Sequence, residues 1–192
     1  MKLILRSTVY VIVLTALLGG AYPAVVTLAA RTFWPARANG SLVESGGRWV
    51  GSELIGQSFR SPKYLHPRPS AAGKEGYDAT ASGGTNKGPT DAELARSIRT
   101  AVEEARKDRP GDSRPVPADL VTSSASGLDP HLSPDAAEWQ AARIARGREL
   151  TEEQVLAVIR RHIEPRTLGF LGEPRVNVLL TNLDLDGTPV RR

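Results

Sequence analysis

The sequence predicts an α+β protein: one N-terminal transmembrane helix followed by a single mixed α/β domain. Three observations predict it. Ser7 to Ala30 is a run of 24 residues without a charge. Three later segments open with helix-capping signals and continue with apolar residues at helical spacing. Near the end, Val176, Val178 and Leu180 alternate as a strand does.

The uncharged run lies between Lys2 and Arg6 on one side and Arg31 on the other. As a helix it rises about 36 Å, enough to cross a hydrocarbon core about 30 Å thick with some tilt. Val9, Val11, Ile12, Val13, Leu14, Leu17, Leu18, Val25, Val26 and Leu28 together favour insertion by about 3–6 kcal/mol. Gly19, Gly20 and Pro23 are tolerated in a span. Tyr10 and Trp34 stand near its ends, where amphipathic rings prefer the interface. A cleaved signal peptide is the competing reading, with Ala29 and Ala30 as its small residues. Signal cores run about 7–15 residues, so the length favours an uncleaved anchor. Flanking charges are nearly balanced and do not choose a side. The expected organisation is a tail over 1–6, a span over 7–30, a linker over 31–48 and a domain over 49–192.

Of 25 basic side chains only Lys2 and Arg6 precede the span, which leaves 23 beyond it against 21 acidic ones. The domain is nearly neutral, which argues against nucleic acid as a partner. With no cysteine, disulfides, thiolate metal sites and cysteine nucleophiles are excluded.

Within the domain, Trp49 to Phe59 reads as a short strand or turn of helix. Residues 60–90 hold five Gly and four Pro and one aliphatic larger than Ala, Leu65. A loop this long inside a compact domain is functional or disordered. Thr90-Asp91-Ala92-Glu93 is a capping box, and Leu94, Ile98 and Val102 carry the helix to about Arg106. Ser133-Pro134 starts a helix through Ala137, Ala141 and Ile144. Thr151 to Gln154 is a second capping box, followed by Val155, Leu156, Ile159 and Ile163 until Pro165 stops it. In the last strand Leu183 and Leu185 shift phase, which implies burial on both faces or a bulge near Thr181.

None of the candidate sites makes an active centre. Gly83 and Gly88 have phosphate-loop spacing, but Pro89-Thr90 stands where Lys-Ser/Thr is needed and the lysine is displaced to Lys87. No buried strand leads in, so a structural turn is the simpler reading, although a helix N-terminus favours anions. His66, His131 and His162 lack metal-ligand spacing. Thr122 to Ser126 offers hydroxyls without a nucleophile elbow. Asp184 and Asp186 read as a carboxylate pair on a solvated strand end. Gln140, beside Trp139, reads as a surface or partner-facing amide, and Arg143, Arg146 and Arg148 as a solvated basic face.

Six blocks resemble the C subunit of the Kdp-type potassium-transporting ATPase. They are Gly51-Ser-Glu-Leu-Ile-Gly-Gln57, Tyr64-Leu-His-Pro-Arg-Pro-Ser70, Ser82-Gly-Gly-Thr-Asn86, Pro115-Val-Pro-Ala-Asp-Leu-Val-Thr122, Ser124-Ala-Ser-Gly-Leu-Asp-Pro130 and Gly172-Glu-Pro-Arg-Val-Asn-Val178. They run in order over nearly the whole chain, and the N-terminal span fits. Thr85 departs from the family's usual Ser but keeps the hydroxyl, and residues 97–114 carry no family signal.

The resemblance implies an accessory subunit of an ATP-driven, high-affinity potassium importer in the inner (plasma) membrane. Its partners would be a P-type catalytic subunit and a channel-like potassium-binding subunit. The chain has no Asp-Lys-Thr-Gly phosphorylation motif and no tightly bound cofactor is expected, ATP acting through the catalytic subunit. The family's C subunit is proposed to promote ATP binding there, as a catalytic chaperone. Gln140, and with it Ser82, Gly83 and Gly84, would be the nucleotide-related residues. The family's architecture puts the domain on the outer face, away from cytoplasmic ATP, which leaves an allosteric effect. Two other readings remain open: an anchored nucleotide- or phosphate-binding protein acting alone, and an envelope enzyme with an unrecognised site.

Overall fold

The computed structural model describes residues 1–188, and the expected domain's last four residues, 189–192, lie outside it. The chain divides into two compact units meeting at Leu42–Val43, taken here one at a time.

The first is a helix of 32 residues, Lys2–Phe33, longer at both ends than the uncharged run. It comprises α1 (Lys2–Ala16), a π-helical turn (Leu17–Ala21) and α2 (Tyr22–Phe33). The wide turn has a covalent cause. Pro23 has no N–H for the carbonyl of Gly19 and its ring crowds that turn, and the Tyr22 N–H reaches back five residues to Leu17 O. Three hydroxyls are satisfied within the helix: Ser7 donates to Leu3 O (3.0 Å), Thr8 to Ile4 O (2.9 Å) and Thr32 to Leu28 O (2.7 Å). That is the condition for burying hydroxyls in lipid. The apolar stretch is not buried by the chain, and it is long and apolar enough to cross a membrane. Trp34 leaves helical geometry, as the residue before a proline tends to, and a short α3 (Pro35–Ala38) follows.

The second unit opens with a hairpin, β1 (Leu42–Ser45) and β2 (Arg48–Ser52). Gly46 and Gly47 join the strands, both at positive φ, as a tight primed turn requires. A strand thus falls inside the segment expected as a linker. Residues 60–90 hold no regular element, yet Leu65 and Ala72 are fully buried, so this segment runs partly through the interior.

Next come α4 (Ala92–Asp108), β3 (His131–Leu132), α5 (Pro134–Trp139), α6 (Ala141–Arg148), α7 (Glu152–Arg161), β4 (Ile163–Glu164), β5 (Arg175–Asn177) and α8 (Val178–Leu185). The strands form an antiparallel sheet of order β3-β5-β4, with Leu132 and Ile163 both opposite Val176. Leu132, Ile144, Val155, Ile159 and Val176 form the main core with Leu65 from the irregular segment. A second cluster joins Val43 to Leu179 and Leu180.

Local chemistry explains where the elements depart from expectation. Asp91, not Thr90, caps α4, because its carboxylate accepts from both Glu93 N and Leu94 N. Ser133 caps α5 as expected, but the helix breaks at Gln140 into α5 and α6. Thr151 and Gln154 complete a reciprocal capping box at α7. Ile163 leaves that helix for β4.

The largest correction is at the end of the domain, where the expected strand is only Arg175–Asn177 and Val178–Leu185 is helical. Asn177 starts the helix by accepting from Leu180 N (3.1 Å). Val178 to Asn182 are all buried, so this part of the helix shows no alternation of buried and exposed positions and no helical period to read.

Candidate functional site

The irregular segment is held at Leu65 and His66 by two carboxamides from opposite sides. Asn182, on α8, accepts from Leu65 N (2.7 Å) and donates to Leu65 O (2.9 Å). Gln140, at the α5–α6 break, accepts from His66 N (2.9 Å) and donates to His66 O (2.9 Å). Each side chain satisfies one residue's N–H and C=O together, as a neighbouring strand would. Both are buried, at 2% and 1% exposure, and Leu65 is fully buried, so its two backbone groups have no water to fall back on.

Arginines complete the clasp. Arg143 donates to Pro62 O (2.7 Å), Tyr64 O (2.9 Å) and Asp108 (3.0 Å), and also to Gln140 Oε1. Arg148 donates to Lys63 O (2.7 Å), Leu185 O (2.6 Å) and Asp186 (2.7 Å). Its guanidinium also lies 5.2 Å from the Tyr64 ring, and the Tyr64 hydroxyl donates to Asp186 (3.0 Å). His66 Nε2 lies 2.9 Å from Ser61 O. Burial, followed by the Arg143 charge, holds the His66 imidazole below its usual pKa.

These contacts correct three expectations. Gln140 is not a surface amide: its oxygen accepts two bonds, and its nitrogen also reaches Ala136 O (3.4 Å). A nucleotide could reach it only by displacing this chain's own backbone. Arg143 and Arg148 are not a solvated face but hold residues 62–64. Asp184 and Asp186 are not a pair, since Asp184 takes Arg161 (3.1 Å) and His162 (2.9 Å) while Asp186 takes Arg148 and Tyr64.

A second set of contacts ties residues 68–84 to residues 122–129. Arg68 pairs with Asp129 (3.2 Å) and donates to Ser123 O (3.4 Å). The Tyr77 hydroxyl donates to Arg68 O (2.5 Å), and burial pushes its pKa up to about 12. Ser70 donates to Gly127 O (2.6 Å). Gly127 has φ +66°, and a Cβ there would sit 2.7 Å from Ala72 N and from Gly83 O, so no other residue fits without movement.

Ser82, Gly83 and Gly84 pack along this second set. Ser82 Oγ and Gly83 N both donate to Ser126 O, at 3.0 and 2.9 Å, and Gly84 lies against Ala125. No hydrogen bond among the described residues joins this turn to Gln140. Lys87, the displaced lysine, pairs with Glu93 at 2.6 Å.

A cleft of about 750 Å³ lies between the 114–119 segment and the α5–α7 side, with Arg109, Arg114, Trp139 and Glu152 among its walls. Its cations are already engaged. Arg109 pairs with Glu152 and donates to Trp139 O (2.8 Å), while Arg114 chelates Asp112 and holds that carboxyl down at about 2. Among the described residues no group of three or more His, Asp or Glu gathers as metal ligands would.

The arrangement is therefore a scaffold built around a pinned segment, with its polar groups turned on one another. Sequence reasoning missed Asn182, the partner of Gln140 across Leu65-His66; its signal was a carboxamide between the apolar residues Val178-Leu179-Leu180 and Leu183.

Comparison with known proteins names the family. The family described as K+-transporting ATPase, c chain, matches residues 4–187, the N-terminal helix included. The chain is 56% identical to the potassium-transporting ATPase KdpC subunit of Myxococcus xanthus over 183 residues, covering 95% of this chain and 85% of that one. It is 49% identical to the subunit of the same name from Koribacter versatilis, covering 97% and 95%, and 56% identical to that from Gemmatimonas aurantiaca, covering 86% and 82%. The family match runs through both the apolar helix and the clasped segment, and the chain belongs to the c-chain family of K+-transporting ATPases.

Proposed function

We propose that this chain is the non-catalytic, membrane-anchored accessory subunit of an ATP-driven potassium importer, and that any influence on ATP binding is indirect. Its partners are the P-type catalytic subunit and the channel-like potassium-binding subunit of that complex. It binds no nucleic acid and holds no cofactor of its own; ATP belongs to the catalytic subunit. The helix Lys2–Phe33 is retained as a single-pass anchor in the inner (plasma) membrane, with the domain on the outer face.

One observation carries the indirect reading: the Gln140 carboxamide is 1% exposed and fully engaged with His66 and Arg143. Gln140 then bears on ATP affinity by fixing the 61–70 segment. Ser82, Gly83 and Gly84 do so by fixing the loop at Ser126. Domain contacts that differ between the pump's states shift its nucleotide affinity by the difference in their free energies.

The test has two arms. Calorimetry with ATP on the full chain in detergent is expected to show no binding, and Gln140→Ala is expected to weaken ATP binding only by the assembled complex. ATP binding by the chain alone, abolished by Gln140→Ala, would favour the stand-alone nucleotide-binding reading. For sidedness, a cysteine at exposed Thr100 is expected to react with an impermeant thiol reagent in intact cells. Protection until the cells are lysed would put the domain inside.

A further inference from the structure

The connection between β4 and β5 ends in an apolar tip. Leu168, Phe170 and Leu171 are 79%, 68% and 49% exposed. The tip is fixed, not frayed: Thr167 and Leu171 exchange two backbone hydrogen bonds of 2.9 Å, and Gly169 N donates to Arg166 O (3.0 Å). Its strands belong to the central sheet, so the tip cannot fold back onto the core it extends from. Leu168 also has φ +55°, a left-handed conformation suited to Gly or Asn. Here a bulky apolar residue occupies a strained turn position and faces water. Strain and apolar exposure at one point mark a binding surface.

The charges below the tip select the partner. Arg166 pairs with Glu173 (2.5 Å) and Glu164 with Arg175 (2.8 Å), two acids and two bases around the stalk. A stalk of zero net charge gains nothing from an anionic lipid surface, and insertion would press Glu164 and Glu173 among the headgroups. A phenylalanine at the centre of an apolar tip ringed by paired charges matches the aromatic core and polar rim of a protein interface.

The geometry points to Leu168, Phe170 and Leu171 as a plug that enters an apolar pocket, rimmed by mixed charge, on another protein subunit of the complex. This rests on the accessory-subunit reading above. The experiment is purification of the whole complex through a tag on this chain, with a photo-crosslinking benzoyl-phenylalanine at position 170 and, separately, Phe170→Asp and Phe170→Trp. A crosslink to a different polypeptide is expected. Phe170→Asp is expected to lower partner recovery at least tenfold, Phe170→Trp to retain it, and both to leave the chain's own Tm within about 2 °C. Undiminished recovery with Phe170→Asp would overturn the plug, as would crosslinks only to lipid or to a second copy of this chain. Failure of the wild-type chain to recover any partner would instead overturn the accessory-subunit reading, and the plug with it.

Discussion

Two connections in the domain solve the same problem in opposite ways. Residues 61–70 are irregular and borrow their order: carboxamides and guanidiniums from α5, α6 and α8 satisfy their backbone. Residues 165–173 order themselves through Thr167–Leu171 pairing and receive no cover for their large side chains. The first costs stability if touched and is closed to outside ligands. The second is nearly free of structural duty and open to a partner. Among loops, then, the groups that satisfy the backbone separate scaffold from contact surface better than regularity does.

The comparison breaks most visibly at the clasp. Asn182→Ala leaves both backbone groups of Leu65 buried and unpaired, and is expected to lower unfolding free energy by about 2–4 kcal/mol in urea melts of the full chain. Gln140→Ala is expected to cost somewhat less, about 2–3 kcal/mol, because His66 lies nearer the surface. Equal stability of either variant and wild type would mean the clasp does not hold the segment.

A pH series probes the same place more gently. His66 and His131 both have folded-state pKa values below the ordinary 6.5, burial being the first cause in each and the Arg143 and Arg175 charges the next. The unfolded chain therefore takes up protons that the folded one refuses. Their contribution is complete above about pH 6.5 and is lost as pH falls from there toward the folded values. His66→Gln is expected to flatten the drop in Tm between pH 7.5 and 5.5.

The tip should answer with the opposite sign or not at all. Leu168→Gly relieves a left-handed leucine and is expected to raise stability by about 1 kcal/mol. Phe170→Ser removes no core contact and is expected to change it by less than about 0.5 kcal/mol. A large loss from either would show that the tip packs within its own domain.

What could be read from the sequence follows the range of the causes. The Thr151–Gln154 box and the Ser133 cap are interactions across three residues, and both stand as expected. The long apolar helix was legible because a segment able to cross lipid needs a long uninterrupted run. Thr90 was taken for Asp91 because adjacent hydroxyl and carboxylate caps compete, and the charged acceptor wins by taking two N–H groups. The start of α8 resembles a strand because its first five residues are buried all round, which erases the helical period. Gln140 and the arginines were assigned to the surface because the groups that bury them are 74 to 85 positions away along the chain. Nothing local announces a partner at that distance.

The two carboxamides grip peptide groups and ignore side chains. They therefore count residues instead of reading them. A change of identity at His66 leaves both grips in register, whereas one residue added or removed between the arginine-held carbonyls and His66 would put every later peptide group out of step with Asn182 and Gln140. The segment behaves as a ruler cut to a fixed length, indifferent to the mark at His66 and exacting at Leu65, whose side chain fills the core.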